Sequence, residues 1–375
     1  MSARSILPGE MPGADPATSN TLPGKAYTDA TFLDLEIREL FHKTWHYAGW
    51  IGDLQDTGSY ITASLMDQNV IIIRNRQGTL AGFHNVCQHR AHELLNGKGR
   101  VTSITCPYHA WTYNLEGNLK RARGSETTGD FDTGSIALKP VKIEVIADKF
   151  VFFNLDMDAD PYAPQIESFL NDLRAEIPDF DSLMRVEPNP IPSGGYNPLG
   201  GMYPIRANWK VVMENFLECY HCRGTHPGFT ADLTLDDLTY EGHENWAKQK
   251  SGTRRENHGN VIFWTLFPNL TLGFASGEPS ALFLLEFAVP KGPESTQPGN
   301  LDYYRLPGDE DGRSLQPDWG PLGLEDKRLC ESVQRGLHSI GYGQGRYIYD
   351  PDNGEVTEEA VHAFNRFVLT RMNLT

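Results

Sequence analysis

The sequence predicts an α+β protein: a small all-β domain, then a larger domain in which an antiparallel sheet is covered by helices. Three observations predict it. A chain of 375 residues is too long for one simple core, so two domains are expected. From about Ser59 onward, short β-rich runs such as "YITASL", "NVIIIRN", "TLAGFHNV" and "VKIEVIADKFVFFNL" are separated by the turn signals "RQGT", "NGKG" and "EGN". Beyond residue 165, helical and extended patterns occur in separate segments, as in α+β domains.

In chain order, residues 1–24 carry no basic region followed by an apolar core, and they read as a flexible leader. Residues 25–45 hold Phe32, Leu35, Leu40 and Trp45 at loosely helical spacing, which predicts one amphipathic helix packed on the larger domain. The all-β domain is expected over 46–155 and the larger one over 156–375, with "DMDADPYAPQ" as the linker. Helices are predicted at "IESFLNDLRAEI", "NWKVVMENFLECYH", "LEDKRLCESVQRGLHS" and "EEAVHAFNRFVLTRMN", and strands at "VIFWTLFPNLTLGF" and "ALFLLEFAV".

Composition narrows the function. A net charge of -16, from 49 acidic and 33 basic side chains, repels phosphate backbones and argues against nucleic-acid binding. The longest apolar runs fall far short of the ~20 residues that span a bilayer, so a soluble, cytoplasmic protein is expected. Five cysteines in a chain of this size argue against a disulfide framework and for metal binding or buried thiols.

Two of those cysteines stand in "CQHRAHELLNGKGRVTSITCPYH", as Cys87-x-His89 and Cys106-x-x-His109. Zinc fingers set Cys-Cys against His-His. Here each loop offers one thiolate and one imidazole, which suits a two-iron cluster with both thiolates on one iron and both imidazoles on the other. Pro107 and Tyr108 make a tight turn, Gly97 and Gly99 free the other loop, and Trp111 is placed to cover the site. His84 and His92 are off the pattern. The two pairs resemble the Rieske [2Fe-2S] signature.

A second cluster lies in "ANWKVVMENFLECYHCRGTHPGF". Glu214, Glu218 and His221 fall at i, i+4 and i+7, on one face of a predicted helix. Gly224 and Thr225-His226-Pro227 suggest that the helix ends before His226, so the two histidines can converge. Two histidines and one carboxylate would make a facial triad for ferrous iron. Glu325, Asp326 and Glu331 are candidates for the carboxylate, with Glu214 and Glu218 in competition. Cys219 and Cys222 lack the βαβ context of a redox Cys-x-x-Cys pair and read as thiols near this site. Cys330 reads as core.

Asn208-Trp209-Lys210, Glu214-Asn215, Glu218, Tyr220-His221 and His226-Pro227 resemble the catalytic domain of Rieske non-heme iron oxygenases, the ring-hydroxylating oxygenase α subunits. The likeness runs over about residues 25–375. It implies a [2Fe-2S] cluster on Cys87, His89, Cys106 and His109, and a mononuclear Fe(II) on His221, His226 and Asp326, the last favoured over Glu325. It further implies Glu218 as an electron bridge between subunits with Asn215 beside it, a head-to-tail homotrimer, and a separate reductase that uses NAD(P)H and flavin. Many aromatic-ring oxygenases carry Asp where this chain has Glu218. That glutamate, "NTLPGKAYTD" and "EDKRLCESVQRGLHSIGYGQGR" resemble the carnitine, choline and glycine-betaine monooxygenases. The expected reaction uses O2 to hydroxylate a carbon next to a quaternary nitrogen, giving N-demethylation or C–N cleavage; the alternative is hydroxylation or dihydroxylation of an aromatic ring. Tyr203, Phe263, Trp264 and Phe267 are the pocket candidates, with ordinary aromatic core as the competing reading.

Overall fold

The computed structural model describes residues 11–177, 179–186, 204–254, 258–277, 281–299, 301–305 and 321–374. The chain divides into two compact units. One is Phe41–Pro164; the other joins residues before Phe41 to those from Gln165 onward.

The smaller unit is built from the β-rich runs. A seven-stranded antiparallel sheet uses β1 (His46–Trp50), β2 (Ser59–Leu65), β3 (Gln68–Arg74), β4 (Leu80–His84), β5 (Lys98–Arg100), β9 (Pro140–Ile146) and β10 (Phe150–Asn154), in the order β1-β10-β9-β4-β3-β2-β5. A three-stranded sheet comprises β6 (Ile104–Thr105), β7 (Thr112–Tyr113) and β8 (Leu119–Arg121). Ile71, Ile72 and Ile73 of β3 are fully buried; each such side chain contributes roughly 1.5–3 kcal/mol. Ile71 and Ile73 join Phe83, Ile104, Trp111 and Tyr113 in one apolar cluster that also contains Cys87 and Cys106. The cysteines therefore sit on a rigid floor.

The larger unit carries an antiparallel sheet of β11 (Met184–Val186), β12 (Leu233–Gly242), β13 (Trp246–Thr253), β14 (His258–Leu266), β15 (Leu270–Gly277), β16 (Ala281–Glu286) and β19 (Leu301–Arg305), ordered β11-β19-β16-β15-β14-β13-β12. A separate hairpin pairs β17 (Val289–Gly292) with β18 (Ser295–Gln297). Its helices are α1 (Lys25–Thr28), α2 (Ala30–Glu39), α4 (Glu167–Glu176), α5 (Trp209–Phe216), α6 (Cys222–Thr225), α7 (Pro227–Asp232), α8 (Leu322–Leu337) and α9 (Glu359–Arg371), while α3 (Tyr162–Gln165) runs across the boundary between the units.

Side chains alternate across this sheet with period two. Lys248, Lys250 and Trp264 reach α4, where Lys248 and Trp264 bond the Asp172 carboxylate at 2.7 Å each and Lys250 bonds Glu176. Gln249 and Phe263 take the opposite face, where Gln249 donates to the Phe216 carbonyl and Phe263 meets the Phe216 ring. The C-terminal end of α5 thus lies on one face and α4 on the other.

Three expectations are corrected. Residues 11–24 are not a free leader: Leu22 is fully buried, Thr21 donates to the Gly345 carbonyl, and Arg346 bonds the Ala17 carbonyl. The helix expected over 25–45 is two helices broken at Asp29, whose carboxylate caps α2 through the Thr31 amide. It also stops at Glu39, because Trp45 belongs to the smaller unit and stacks on Tyr162. That unit accordingly runs over Phe41–Pro164 instead of 46–155.

Candidate active site

Two loops of the smaller unit present the first donor set, and they are built alike. The Cys87 amide donates to the His92 carbonyl and the Cys106 amide to the Trp111 carbonyl. Each cysteine carbonyl then accepts the amide four residues on, from Ala91 and Ala110, both at left-handed φ (57° and 58°). Tight turns of this kind bring each cysteine and its histidine to one side of a loop. Both cysteines are buried, His89 and His109 meet edge to face at 4.7 Å, and Trp111 stacks on His89 at 4.7 Å. Tyr108 is itself exposed and stacks on His109.

Tyr113 was not legible as a site residue. Its hydroxyl accepts the Gln88 amide at 3.0 Å, so its own proton is available to the Cys87 sulfur 3.4 Å away. Burial pushes the Cys87 thiol up, which a bound cation would reverse. His109 Nδ1 is buried with no hydrogen-bond partner. The four donors do not gather around one ion: among the described residues the only group of three or more metal-type donors within 4.8 Å of one another is His221, His226 and Asp326. Two thiolates and two imidazoles, one of each on each loop, fit a two-iron cluster.

The second donor set begins where α5 stops. The helix ends at Phe216, not at His221 as the spacing suggested, so Glu214 and Glu218 do not share its face. Glu214 turns into the interior, where one carboxylate oxygen accepts the Tyr27 hydroxyl at 2.7 Å and the Asn365 amide at 2.9 Å. Burial raises it to about 7. His221 and His226 bracket the single turn α6. Pro227 excludes His226 from the α region, and its backbone stands at φ -113°, ψ 73°. The chain therefore turns between α6 and α7, and the two rings meet with their Nε2 atoms 3.0 Å apart.

Asp326, in the first turns of α8, brings Oδ1 to 3.0 Å from His226 Nε2 and 3.4 Å from His221 Nε2. That oxygen is buried and makes no hydrogen bond of its own. Glu325 takes the other side of the ring, with Oε2 2.8 Å from His226 Nδ1. Glu218 does the same for His221, with Oε1 2.5 Å from Nδ1. Asn215 Nδ2 lies 3.4 Å from His221 Nε2. Glu331 instead accepts the Arg206 amide. Burial opposes charge on His221, but Asp326 and Glu218 outweigh it and raise the ring to about 9.

Cys219 and Cys222 are joined as a disulfide, not free thiols, because the turn after α5 brings their Cα atoms to 4.9 Å. Both line the cavity in front of the histidines, which measures about 930 Å³ with its open mouth. Phe216, Phe263 and Phe287 form its aromatic wall, with ring centroids 5.6 and 4.7 Å from Phe216. Trp264 and Phe267 are not part of it. The strand pleat sends Trp264 to Asp172, and Phe267 packs on Phe364 and Phe367 of α9. Tyr203 lies outside the described residues.

Both parts of the chain match known families. Residues 44–139 match the Rieske [2Fe-2S] domain, and residues 180–249 and 236–374 match the catalytic domain of the ring-hydroxylating α subunit. The chain belongs to the Rieske non-heme iron oxygenase family, O2-dependent oxidoreductases with a [2Fe-2S] cluster and a mononuclear iron. It is similar to the carnitine monooxygenase oxygenase subunit of Acinetobacter pittii (strain PHEA-2), 34% identical over 98% of this chain and 99% of that protein. The corresponding Escherichia coli K12 subunit is 32% identical over 95% and 94%. A quaternary ammonium Rieske monooxygenase crystallised with L-carnitine superposes with a TM-score of 0.78, at 29% identity over 97% and 99% of the two chains. Among the described residues no helix is long and apolar enough to cross a membrane.

Proposed function

We propose that this chain is the oxygenase component of a quaternary ammonium monooxygenase. It hydroxylates a carbon next to the substrate nitrogen, and the product then loses a methyl group or breaks its C–N bond. The observation that carries the reading is the cavity: an aromatic wall of Phe216, Phe263 and Phe287 in the same pocket as His221, His226 and Asp326. Aromatic faces attract a methylammonium by roughly 0.5–2 kcal/mol each. The relatives named above, which act on carnitine, support the same substrate class.

In this reading Cys87, His89, Cys106 and His109 hold the cluster, while His221, His226 and Asp326 hold the iron. The cluster supplies electrons one at a time, and the iron supplies a site for O2 activation. The protein's own residues bind and orient. Phe263 and its neighbours seat the cation, Asn215 lines the approach to His221, and Glu218 fixes His221 through Nδ1. Glu218 also links the two metal centres across a subunit boundary, in a head-to-tail homotrimer. Inter-subunit electron transfer has been described for a quaternary ammonium Rieske monooxygenase that superposes with a TM-score of 0.80. A separate reductase with flavin delivers electrons from NAD(P)H.

The test is a single turnover. The iron-loaded, reduced protein is mixed with O2, and reoxidation of the cluster's visible band is followed with carnitine, choline, glycine betaine or benzoate. Acceleration by a methylammonium, with formaldehyde or another C–N cleavage product, is expected. Acceleration by benzoate alone would move the protein to the ring hydroxylases. Glu218→Gln should keep both metals and lose coupled turnover; unchanged turnover would remove Glu218 from the electron path.

A further inference from the structure

We infer that Glu325 is a positioning residue for the mononuclear iron: it holds His226 in the tautomer and orientation that present Nε2 to the metal. The inference rests on the reading above, in which His226 is a ligand. His226 is buried, and its ring has two nitrogens with two different neighbours. Nε2 faces the Asp326 carboxylate at 3.0 Å and the other histidine; Nδ1 faces Glu325 Oε2 at 2.8 Å. A neutral imidazole has one donor and one acceptor nitrogen, and an ionised carboxylate can only accept. With Glu325 on Nδ1, the proton resides there and the Nε2 lone pair is left for a cation.

The sequence places this device economically. Glu325 and Asp326 are consecutive on α8, about 100° apart around the helix axis. One approaches the His226 ring at Nδ1 and the other at Nε2. The first turn of α8 is fixed by the Leu324 and Glu325 amides, which both donate to the Pro321 carbonyl. Helix N-termini favour carboxylates. Glu218 holds His221 in the same manner, so both rings are oriented by a carboxylate; Glu325 is the one that the electron path does not employ.

The experiment measures iron, not turnover. Holoprotein loaded with Fe(II) is challenged with a chromogenic ferrous chelator, and release is followed for wild type, Glu325→Ala, Glu325→Gln and His226→Ala. The Rieske absorption band and the far-ultraviolet circular dichroism serve as fold controls. Glu325→Ala should weaken iron retention by about 10- to 100-fold, the usual effect of removing such a partner. Glu325→Gln, whose amide oxygen still accepts from Nδ1, should stay within a few-fold of wild type. The NO adduct of the ferrous site should change its EPR rhombicity in the alanine variant and keep it in the glutamine variant. Equal release from wild type and Glu325→Ala overturns the inference, and so does a glutamine variant as leaky as the alanine one. If His226→Ala retains iron like wild type, the ligand reading itself fails. Should Glu325→Ala not fold, the glutamine variant and its NO spectrum decide alone, and a shifted spectrum there counts against the inference.

Discussion

Tyr113 and Glu214 show how far one side chain can be read once its partners are known. In the sequence, Tyr113 is an aromatic in "AWTYNL"; in the structure its hydroxyl points at the Cys87 sulfur. A hydrogen bond to a cluster sulfur stabilises the extra negative charge of the reduced state. Tyr113→Phe should therefore lower the cluster potential by about 20–60 mV, the equivalent of one bond worth ~0.5–1.5 kcal/mol, in a redox titration of the visible band. Glu214 competed for the iron by spacing alone, yet it lies against Tyr27 and Asn365. Burial raises it to about 7 from an ordinary 4.5, so the folded state binds that proton more tightly than the unfolded chain. The resulting stability is full below about pH 4.5 and is lost as pH rises through 7. Glu214→Gln, neutral and still accepting both bonds, should exceed wild type by on the order of 3 kcal/mol at pH 8 and match it near pH 4. Thermal melts at both pH values check this; a gap that does not change with pH would show that Glu214 is not the titrating group.

Among the elements, β14 and α5 carry the sharpest lessons. "VIFWTLF" is apolar but for Thr265, and such a run does not reveal which residues face a ligand. Pairing with β13 and β15 decides it: Phe263 faces the cavity and Trp264 faces α4. Phe263→Ala should weaken the stimulating methylammonium about 2- to 30-fold, the equivalent of ~0.5–2 kcal/mol. Trp264→Phe should leave that affinity unchanged and cost roughly 1–2 kcal/mol of stability through the lost Asp172 bond. Substrate titrations and urea melts on both variants separate the two faces. The start of α5 was legible in the predicted helix "NWKVVMENFLECYH"; the structure adds that Asn208 caps it through the Lys210 amide at 3.0 Å. Its side chain also accepts the Lys210 ammonium and donates to the Pro293 carbonyl. Asn208→Ala should thus cost more than the ~1 kcal/mol of an ordinary cap, as a urea midpoint shift. The end of α5 was not legible: helical spacing continues to His221 on paper, while the chain turns after Leu217.

For the whole molecule, the prediction concerns how subunits share the reaction. If electrons pass from the cluster of one subunit to the iron of the next, a chain without a cluster and a chain without iron complement each other. His109→Ala and His226→Ala proteins should each be inactive. Unfolded, refolded together and reloaded with both metals, they should recover part of the wild-type turnover. No recovery, with trimers verified by light scattering, would place both centres of one reaction in a single subunit. The buried Glu36–Lys210 pair, 2.6 Å apart and fully enclosed, belongs to this scale too. It ties α2, before the small unit, to α5, after it, and closes the larger unit across the inserted domain.

What the sequence determined by itself was chemistry of fixed local spacing. Cys87-x-His89, Cys106-x-x-His109 and the His221/His226 pair each sit within one loop or one turn, and a few peptide units settle their geometry. The two-domain α+β plan was legible for the same reason, because strand and helix periods are local. Only the tertiary structure decided what depends on partners far along the chain. It brought the Asp326 oxygen to the two histidines and Glu325 to the back of one of them, sent Glu214 inward, and turned Trp264 away from the cavity. A carboxylate's role is set by what it faces, and the facing groups here stand about a hundred residues or more away in the chain. No pattern along the chain carries that information, because it arises only when the two segments pack.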